Sequence, residues 1–414
     1  MNRLRITNVR RVDFPEDTTE LRIENGQFIE SFSSLEAVRE LDLGGRLVMP
    51  GFIETHIHLD KACILHLCSL SEGTLEEAIA QTSQAKRQFT EEDVYRRGAK
   101  VLEKAISQGT MIIRTHVEID PGIGLTGFRA IKRLQRDYAW ALDLEICVFP
   151  QEGLLNNPGT EELLCEALES GASVIGGCPY TDSDPKGQIE RIFELASRYD
   201  CDIDFHLDFD LDAENMSLPH VIDCTRRYGW QQRVTVGHVT KLSALAPERL
   251  SEIGQALAES RVNVTALPST DLFLMGRGVT HNVPRGVAPL ASLNQAGVTC
   301  SLSTNNVGNP FTPYGDASLI RQANLFANIS QMGTANELNQ CRQWISGDSA
   351  RLLRRQNYGL NPGCSADFVV IDARDGATVL GELLQPEAGF KRGVQTFSRP
   401  EIQLLRPGLT EMEH

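Results

Sequence analysis

The sequence predicts an α/β fold in which a (β/α)8 barrel of the TIM type carries a small β-sandwich domain. Three observations support this. Apolar runs recur about every thirty residues after Met49 and alternate with helical stretches. Polar side chains stand at the ends of several of these runs. Segments that alternate polar and apolar residues occupy both ends of the chain.

The two chain ends predict the small domain. Within residues 1–50, stretches such as "RLRITNV" and "ELRIENGQFIE" alternate with period two and are separated by Gly and Asn, which is typical of short antiparallel strands. The same period returns from about residue 362, in "SADFVVIDA" and "FKRGVQTFS". We therefore predict that residues 1–50 and 362–414 form one β-sandwich and that residues 51–361 form the barrel.

The middle of the chain predicts parallel strands. Its apolar runs are "FIETHIHL", "MIIRTHVEI", "LDLEICVFPQ", "ASVIGGCPY", "CDIDFHLDF", "RVTVGHVT", "VNVTALPST" and "VTCSLSTNN". Strands that alternate with helices form either a closed barrel or a doubly wound sheet. No G-x-G-x-x-G motif follows the first run, whereas several runs carry a histidine among their last few residues. This pattern favours the barrel.

Seven polar residues mark a candidate site at the strand ends, which form the catalytic face of such a barrel. They are His56, His58, His116, Gln151, His206, Asp208 and His238. Strand alternation places His56 with His58 on one face, and His206 with Asp208. A lone strand histidine such as His116 is about as often a hydrogen-bonded core residue as it is a functional one. Four convergent imidazoles, by contrast, suit Zn²⁺, Fe²⁺, Mn²⁺ or Co²⁺ with a water molecule.

Composition limits the partners and the compartment. The net charge of −15 and the pI near 5.1 argue against nucleic acid. No apolar run approaches the ~20 residues of a membrane span, and the opening "MNRLRITNVRR" lacks a signal-type apolar segment. The 10 cysteines contain no C-x-x-C pair and lie mostly in apolar segments. We expect a cytoplasmic homo-oligomer with reduced thiols that acts on a small molecule, without nucleic acid or membrane.

Several motifs resemble a known enzyme family. "PGFIETHIHLDK", "IIRTHVEID", "FPQEG", "DFHLD", "TVGHVTK" and "GDSARLLRRQNYGLNPGCSADFVVID" are similar, in order and spacing, to the cytosine deaminase branch of the amidohydrolase superfamily, which includes N-isopropylammelide isopropylaminohydrolase. The resemblance covers nearly the whole chain. It implies one divalent transition metal ion, zinc or else iron or manganese, and hydrolysis of a C–N bond in a small polar, nitrogen-heterocyclic substrate.

The resemblance also implies a role for individual residues. His56, His58 and His206 would bind the metal ion, and His238 would polarise the substrate or hold the attacking water. Gln151 would contact the substrate ring, and we add His116 to the substrate-binding set. Lys61 follows the H-x-H pair as in the isopropylammelide enzyme, and we count it among the catalytic candidates.

The chain departs from the family pattern at two positions. Phe209 stands where cytosine deaminases have a glutamate that shuttles protons, so Asp208 or Asp210 would have to replace it. Asn305 stands where the family has a metal-binding aspartate that accepts the proton of the nucleophilic water. An amide has no lone pair basic enough for that task near neutral pH. The base would then be His238, Asp208 or Asp271.

Two hypotheses follow from the sequence. The first is a metal-dependent hydrolase with a changed general base, in which Asn305 keeps its place in the catalytic group. The second is a diverged barrel that has lost hydrolysis and binds a small ligand. The retained strand-end histidines favour the hydrolase, whereas Asn305 and Phe209 favour changed or lost chemistry.

Overall fold

The computed structural model of the protein describes residues 3–32 and 37–404. The β-strands are β1 (Arg3–Arg11), β2 (Phe14–Glu24), β3 (Gln27–Ile29), β4 (Arg39–Asp42), β5 (Leu47–Pro50), β6 (Phe52–Ile57), β7 (Thr110–Glu118), β8 (Asp143–Phe149), β9 (Val174–Gly177), β10 (Asp202–Leu207), β11 (Val234–His238), β12 (Asn263–Ala266), β13 (Cys300–Leu302), β14 (Phe368–Ile371), β15 (Ala388–Lys391) and β16 (Val394–Ser398).

The α-helices are α1 (Leu75–Lys86), α2 (Glu91–Ser107), α3 (Thr126–Asp137), α4 (Thr160–Glu169), α5 (Pro185–Tyr199), α6 (Leu218–Tyr228), α7 (Pro247–Ser260), α8 (Pro268–Leu274), α9 (Leu290–Gln295), α10 (Leu319–Ser330), α11 (Ala335–Gln343), α12 (Gly347–Leu352) and α13 (Gly376–Gly381). Short 3₁₀ helices span Leu65–Leu67, Pro179–Thr181 and Thr240–Ala244.

The predicted fold class is confirmed. Strands β6 to β13 form one parallel sheet in chain order, with helices in the connections. The sheet closes between β6 and the segment after β13, where Asn305 N–H donates to the His56 carbonyl at 2.9 Å and His58 N–H donates to the Asn305 carbonyl at 2.8 Å. The strands read as continuous apolar runs because the sheet is buried on both faces.

Two local irregularities limit what strand alternation can predict. In β6, Glu54 pairs with Ile113 of β7 and Ile57 pairs with Thr115, so β6 contains one extra residue, a β-bulge. Strand β10 ends at Leu207, and Asp208 has a φ angle of +49°. The alternation therefore does not extend to Asp208, and the expectation that it shares a face with His206 fails.

The chain ends form one second sheet, as predicted. Its strand order is β16-β15-β14-β5-β1-β2-β3, with β4 paired to β1, and the link between the two ends is the antiparallel pair of β5 and β14. The sheet curls until its far edge meets the segment before β14, where Phe28 N–H donates to the Cys364 carbonyl at 3.0 Å. The rings of Phe28, Phe368 and Phe390 fill the interior.

The predicted domain limits include residues 1–2, 33–36 and 405–414, which lie outside the described residues. The division at residues 51 and 361 stays a prediction. In the described part of the chain, all 10 cysteines are free thiols. No helix there combines the length and the apolar composition that crossing a membrane requires.

The core of the chain-end sheet gives a test of its stability. Phe368 is fully buried, and its ring stacks on Phe390 with centroids 4.5 Å apart. We expect Phe368→Ala to lower the free energy of unfolding by about 3–5 kcal/mol, because it removes the ring and leaves a cavity. Val394→Ala, in the same sheet but 51% exposed, is the control and should change it by less than about 0.5 kcal/mol. Equal effects in urea unfolding would contradict this packing.

Candidate active site

Three histidines converge at the mouth of the barrel. The Nε2 atom of His206 in β10 lies 3.1 Å from Nε2 of His56 in β6 and 3.0 Å from Nε2 of His58, which follows β6. All three side chains are buried, and burial lowers their pKa values well below the ordinary value. The imidazoles are therefore neutral near pH 7.

This arrangement fits a transition-metal ion. A ring nitrogen carries either one proton or one lone pair, so Nε2 of His206 cannot hydrogen-bond to both neighbours. Two nitrogen ligands about 2.1 Å from one ion lie about 3.0–3.4 Å apart for angles between 90° and the tetrahedral value. The two separations from Nε2 of His206 agree with that range at its short end. Neutral imidazole is also the form that such ions bind.

His238, at the end of β11, adds a fourth imidazole. Nitrogen atoms of His56, His206 and His238 lie within 4.8 Å of one another, so His238 faces the same space, either as a further ligand or as a base beside the ion. Its Nδ1 lies 2.6 Å from Oδ1 of Asp271, which is buried in α8 and also accepts a hydrogen bond from Leu267 N–H at 3.1 Å. A carboxylate can only accept, so Nδ1 carries a proton, and in the neutral imidazole the lone pair is then on Nε2.

Asn305 lies next to this lone pair. Its Nδ2 is 3.5 Å from Nε2 of His238, and its Oδ1 is buried without a hydrogen-bond partner among the described residues. Both residues have left-handed backbone conformations, with φ of +61° at Asn305 and +69° at His238. Strained backbone of this kind persists where the surrounding structure holds it in place, often at functional sites.

Asp208 is engaged in a different task. Its two carboxylate oxygens accept hydrogen bonds from the backbone N–H groups of Ser217 and Leu218, at 2.8 and 3.0 Å, where α6 begins. It therefore caps the helix. The adjacent Phe209 packs its ring against the His238 ring, with centroids 3.8 Å apart. Both oxygens of Asp208 are thus engaged at the start of α6, which favours a structural role over the catalytic role predicted for this residue.

His116 lies against the metal-ligand candidates. Its ring stacks on His56 with centroids 3.7 Å apart, and its Nε2 is 3.4 Å from Oδ1 of Asp204. Asp204 also pairs with Arg114 at 3.0 Å. Burial alone would raise the pKa of Asp204, but His116 and Arg114 hold it below the ordinary value. These contacts favour a supporting role for His116 rather than the predicted contact with substrate.

Lys61 and Gln151 belong to a buried charge network. Nζ of Lys61 lies 2.6 Å from Oε1 of Glu118 and donates to Oε1 of Gln151 at 3.2 Å. Lys86 lies 3.3 Å from the same carboxylate and 2.6 Å from Asp120. Burial raises the pKa of Glu118, but the two ammonium groups outweigh it and lower that pKa to about 2. Glu118 is therefore ionised and fixes Lys61 beside Gln151.

Sequence reasoning missed Asp204, Lys86 and the role of Glu118. Asp204 and Glu118 occur in strands at positions that a polar count could have marked, two residues before His206 and two after His116. Lys86 is the last residue of α1, where a lysine is ordinary. Nothing in the sequence distinguishes it from the surface lysines of other helices.

The Glu118 network predicts a large stability effect. We expect Glu118→Gln to destabilise the protein by about 3–5 kcal/mol, because it leaves two buried ammonium groups without their shared carboxylate. Glu252→Gln is the control, since Glu252 pairs with Arg249 at the surface and its side chain is 66% exposed. Its effect should stay below about 1 kcal/mol.

The lowered pKa also sets the sign of a pH effect. Glu118 has a lower pKa in the folded protein, so its stabilisation is present above its unfolded value of 4.5 and is lost as the pH falls from there toward about 2. As the pH falls between those values, the free energy of urea unfolding should decrease less for Glu118→Gln than for the wild type. Parallel curves would contradict the ionised state of Glu118.

A family profile and several known proteins match most of the chain. A profile described as the amidohydrolase family matches residues 39–138 and 140–387. The chain is 25% identical over 348 residues to N-isopropylammelide isopropyl amidohydrolase of Pseudomonas sp. (strain ADP), a match that covers 81% of this chain and 82% of that protein. It is also 25% identical to a pterin deaminase of Rhizobium rhizogenes, over 80% of this chain and 76% of that one.

Solved structures give the same result. The 5-methylcytosine deaminase of Klebsiella pneumoniae with 5-fluorocytosine superposes with a TM-score of 0.91 at 27% identity, covering 97% of this chain and 99% of that one. N-isopropylammelide isopropylaminohydrolase of Burkholderia multivorans superposes with a TM-score of 0.84 at 26% identity, covering 95% and 98%. The resemblance that the sequence motifs indicated is confirmed.

Proposed function

The chain belongs to the amidohydrolase family, and from this premise we propose that it hydrolyses a non-peptide C–N bond of a small, polar nitrogen heterocycle. The observation that carries the proposal is the group of neutral, buried imidazoles of His56, His58 and His206, in which Nε2 of His206 lies 3.1 Å from Nε2 of His56 and 3.0 Å from Nε2 of His58. They would hold one divalent transition-metal ion, zinc or else iron or manganese. When bound, such an ion acidifies a water molecule and polarises the substrate.

The His238–Asp271 pair supplies the base that Asn305 cannot. Asp271 keeps the Nδ1 proton of His238 in place at 2.6 Å, so Nε2 is free to accept the proton of the attacking water. Asp271 then stabilises the imidazolium, which returns the proton to the departing nitrogen. Asn305, 3.5 Å from Nε2, offers an amide N–H and a carbonyl oxygen that hold the water in line. No other proton carrier is required.

Lys61 and Gln151 would recognise the polar atoms of the substrate. Their shared hydrogen bond and the Glu118 carboxylate fix both side chains near the barrel mouth. The ring of Phe311 lies 4.4 Å from the Lys61 ammonium, and Phe149 stacks on His206 with centroids 4.5 Å apart. Aromatic faces beside fixed polar groups suit a flat heterocycle. Phe209 in place of a carboxylate favours a substrate that needs no separate proton shuttle to its ring.

The second hypothesis, a ligand-binding barrel without hydrolysis, does not require the Asp271 carboxylate on His238. Burial raises the pKa of Asp271, so a carboxylate at this place is unfavourable unless the histidine compensates for it. The pair therefore favours the hydrolase. The proposal also includes a cytoplasmic location and a homo-oligomeric state. Both are proposed on the basis of the composition and of the small-molecule chemistry of the relatives.

Metal content tests the ligand assignment. We expect about one zinc, iron or manganese ion per chain at the barrel mouth, lost in the His56→Ala, His58→Ala double variant because two of its ligands are gone. His238→Ala should keep this ion and lose hydrolysis, because His238 acts as base and not as ligand. Elemental analysis measures the metal content. Release of ammonia or amine from a panel of aminated heterocycles measures hydrolysis. A metal-free wild type, grown with all three metals, would refute the proposal.

The rate of Asn305→Asp tests the changed base. If His238 and Asp271 carry the proton, an added carboxylate only alters the charge beside the metal site, and kcat should stay level or fall. If the family route operates with a missing base, the aspartate should raise kcat by about 10²- to 10⁴-fold. The matched control is Asn306→Asp, which adds the same charge at the next residue. A large gain in Asn305→Asp alone would contradict the dyad.

A further inference from the structure

A second cluster of metal-binding side chains lies on the outer helices. Glu190 of α5 faces His220 and Cys224 of α6, and their ligand atoms all lie within 4.8 Å of one another. Nε2 of His220 is 3.1 Å from Oε1 of Glu190 and 3.7 Å from Sγ of Cys224. None of these residues takes part in the function proposed above.

The helices place these three side chains together by simple geometry. His220 and Cys224 are four residues apart in α6, so they lie one above the other on one face of the helix. Glu190 reaches that face from the neighbouring α5. A pair of ligands at this spacing on one helix, with a third from another element, is a common way to hold a metal ion.

The separations fit a tetrahedral ion. An ion about 2.1 Å from a nitrogen and about 2.3 Å from a sulfur places these atoms about 3.6 Å apart at the tetrahedral angle. The measured distance between His220 Nε2 and Cys224 Sγ is 3.7 Å. Nitrogen and oxygen ligands lie about 3.4 Å apart in the same geometry, against a measured 3.1 Å.

From these distances we propose that Glu190, His220 and Cys224 form a second metal site for a borderline-soft divalent ion such as zinc or cadmium. Thiolate, imidazole and carboxylate together suit these ions, and water supplies the fourth ligand. Cys224 is fully buried, and its burial raises the pKa of its thiol to about 11. Binding therefore breaks the S–H bond, forms the sulfur–metal bond and releases the proton to solvent.

Arg227 lies against two members of the cluster, Glu190 and Cys224. Its guanidinium hydrogen-bonds to Glu190 and donates to Cys224 Sγ at 3.1 Å. A cation held there competes with the metal ion for the same two ligands. The Arg227 side chain is 56% exposed, so it can turn toward solvent when the ion enters. Removing this side chain should therefore strengthen metal binding.

Cobalt titration of the metal-depleted full-length protein separates this site from the barrel mouth. Co²⁺ bound by a thiolate gives a near-ultraviolet charge-transfer band, which the histidines of the barrel mouth cannot produce. We expect the band in the wild type and in the His56→Ala, His58→Ala variant, and its loss in Cys224→Ser. Cys165→Ser is the matched control, because this half-buried thiol of the neighbouring α4 lies outside the cluster, and it should keep the band.

Two further variants keep the test decisive if Cys224→Ser folds poorly. His220→Gln should weaken cobalt binding by at least about tenfold, because it removes one of three protein ligands. Arg227→Gln should tighten it. At a zinc concentration that just saturates the wild type, the zinc content should fall from two ions per chain toward one in His220→Gln and in Cys224→Ser. Absence of the band in the wild type, or its persistence in Cys224→Ser, overturns the proposal and leaves the barrel-mouth function untouched.

Discussion

The closure of the barrel between β6 and the segment after β13 is the constraint on which the candidate site depends. Asn305 exchanges backbone hydrogen bonds with His56 and His58 at this seam. The contact that completes the sheet therefore also places Asn305, which stands where the family has an aspartate, beside the metal-ligand candidates. A shift of one residue in this pairing would move Asn305 away from His238, so the bonds that close the barrel also set the position of Asn305 in the candidate site.

Burial at this seam determines the protonation of the site. The imidazoles of His56, His58 and His206 are neutral because charged forms are costly in a buried place. Two buried carboxylates nearby are accompanied by cations, Asp204 by Arg114 and Glu118 by Lys61. The site thus combines electron-pair donors at its centre with compensated charges around them, which is the environment that a metal-dependent hydrolase needs.

Much of this could be predicted from the sequence. Parallel strands bring their carboxyl ends together, so histidines that end separate apolar runs had to meet, and Asn305 could be recognised from the absence of any acid around it. The bulge in β6 and the left-handed φ of Asp208 break strand alternation and leave no signal in residue type. For that reason Asp208 was expected beside His206, whereas it caps α6.

The base was harder to identify, because Asp271 reaches His238 from α8, a different element 33 residues away in the chain. Spacing cannot predict such a contact. The central claim is that this pair replaces the family aspartate, and kcat of Asp271→Asn, measured on a confirmed substrate with metal content checked in parallel, tests it most directly. We predict a fall of about 10²- to 10⁴-fold at unchanged metal content. An unchanged kcat at equal metal content would contradict the account.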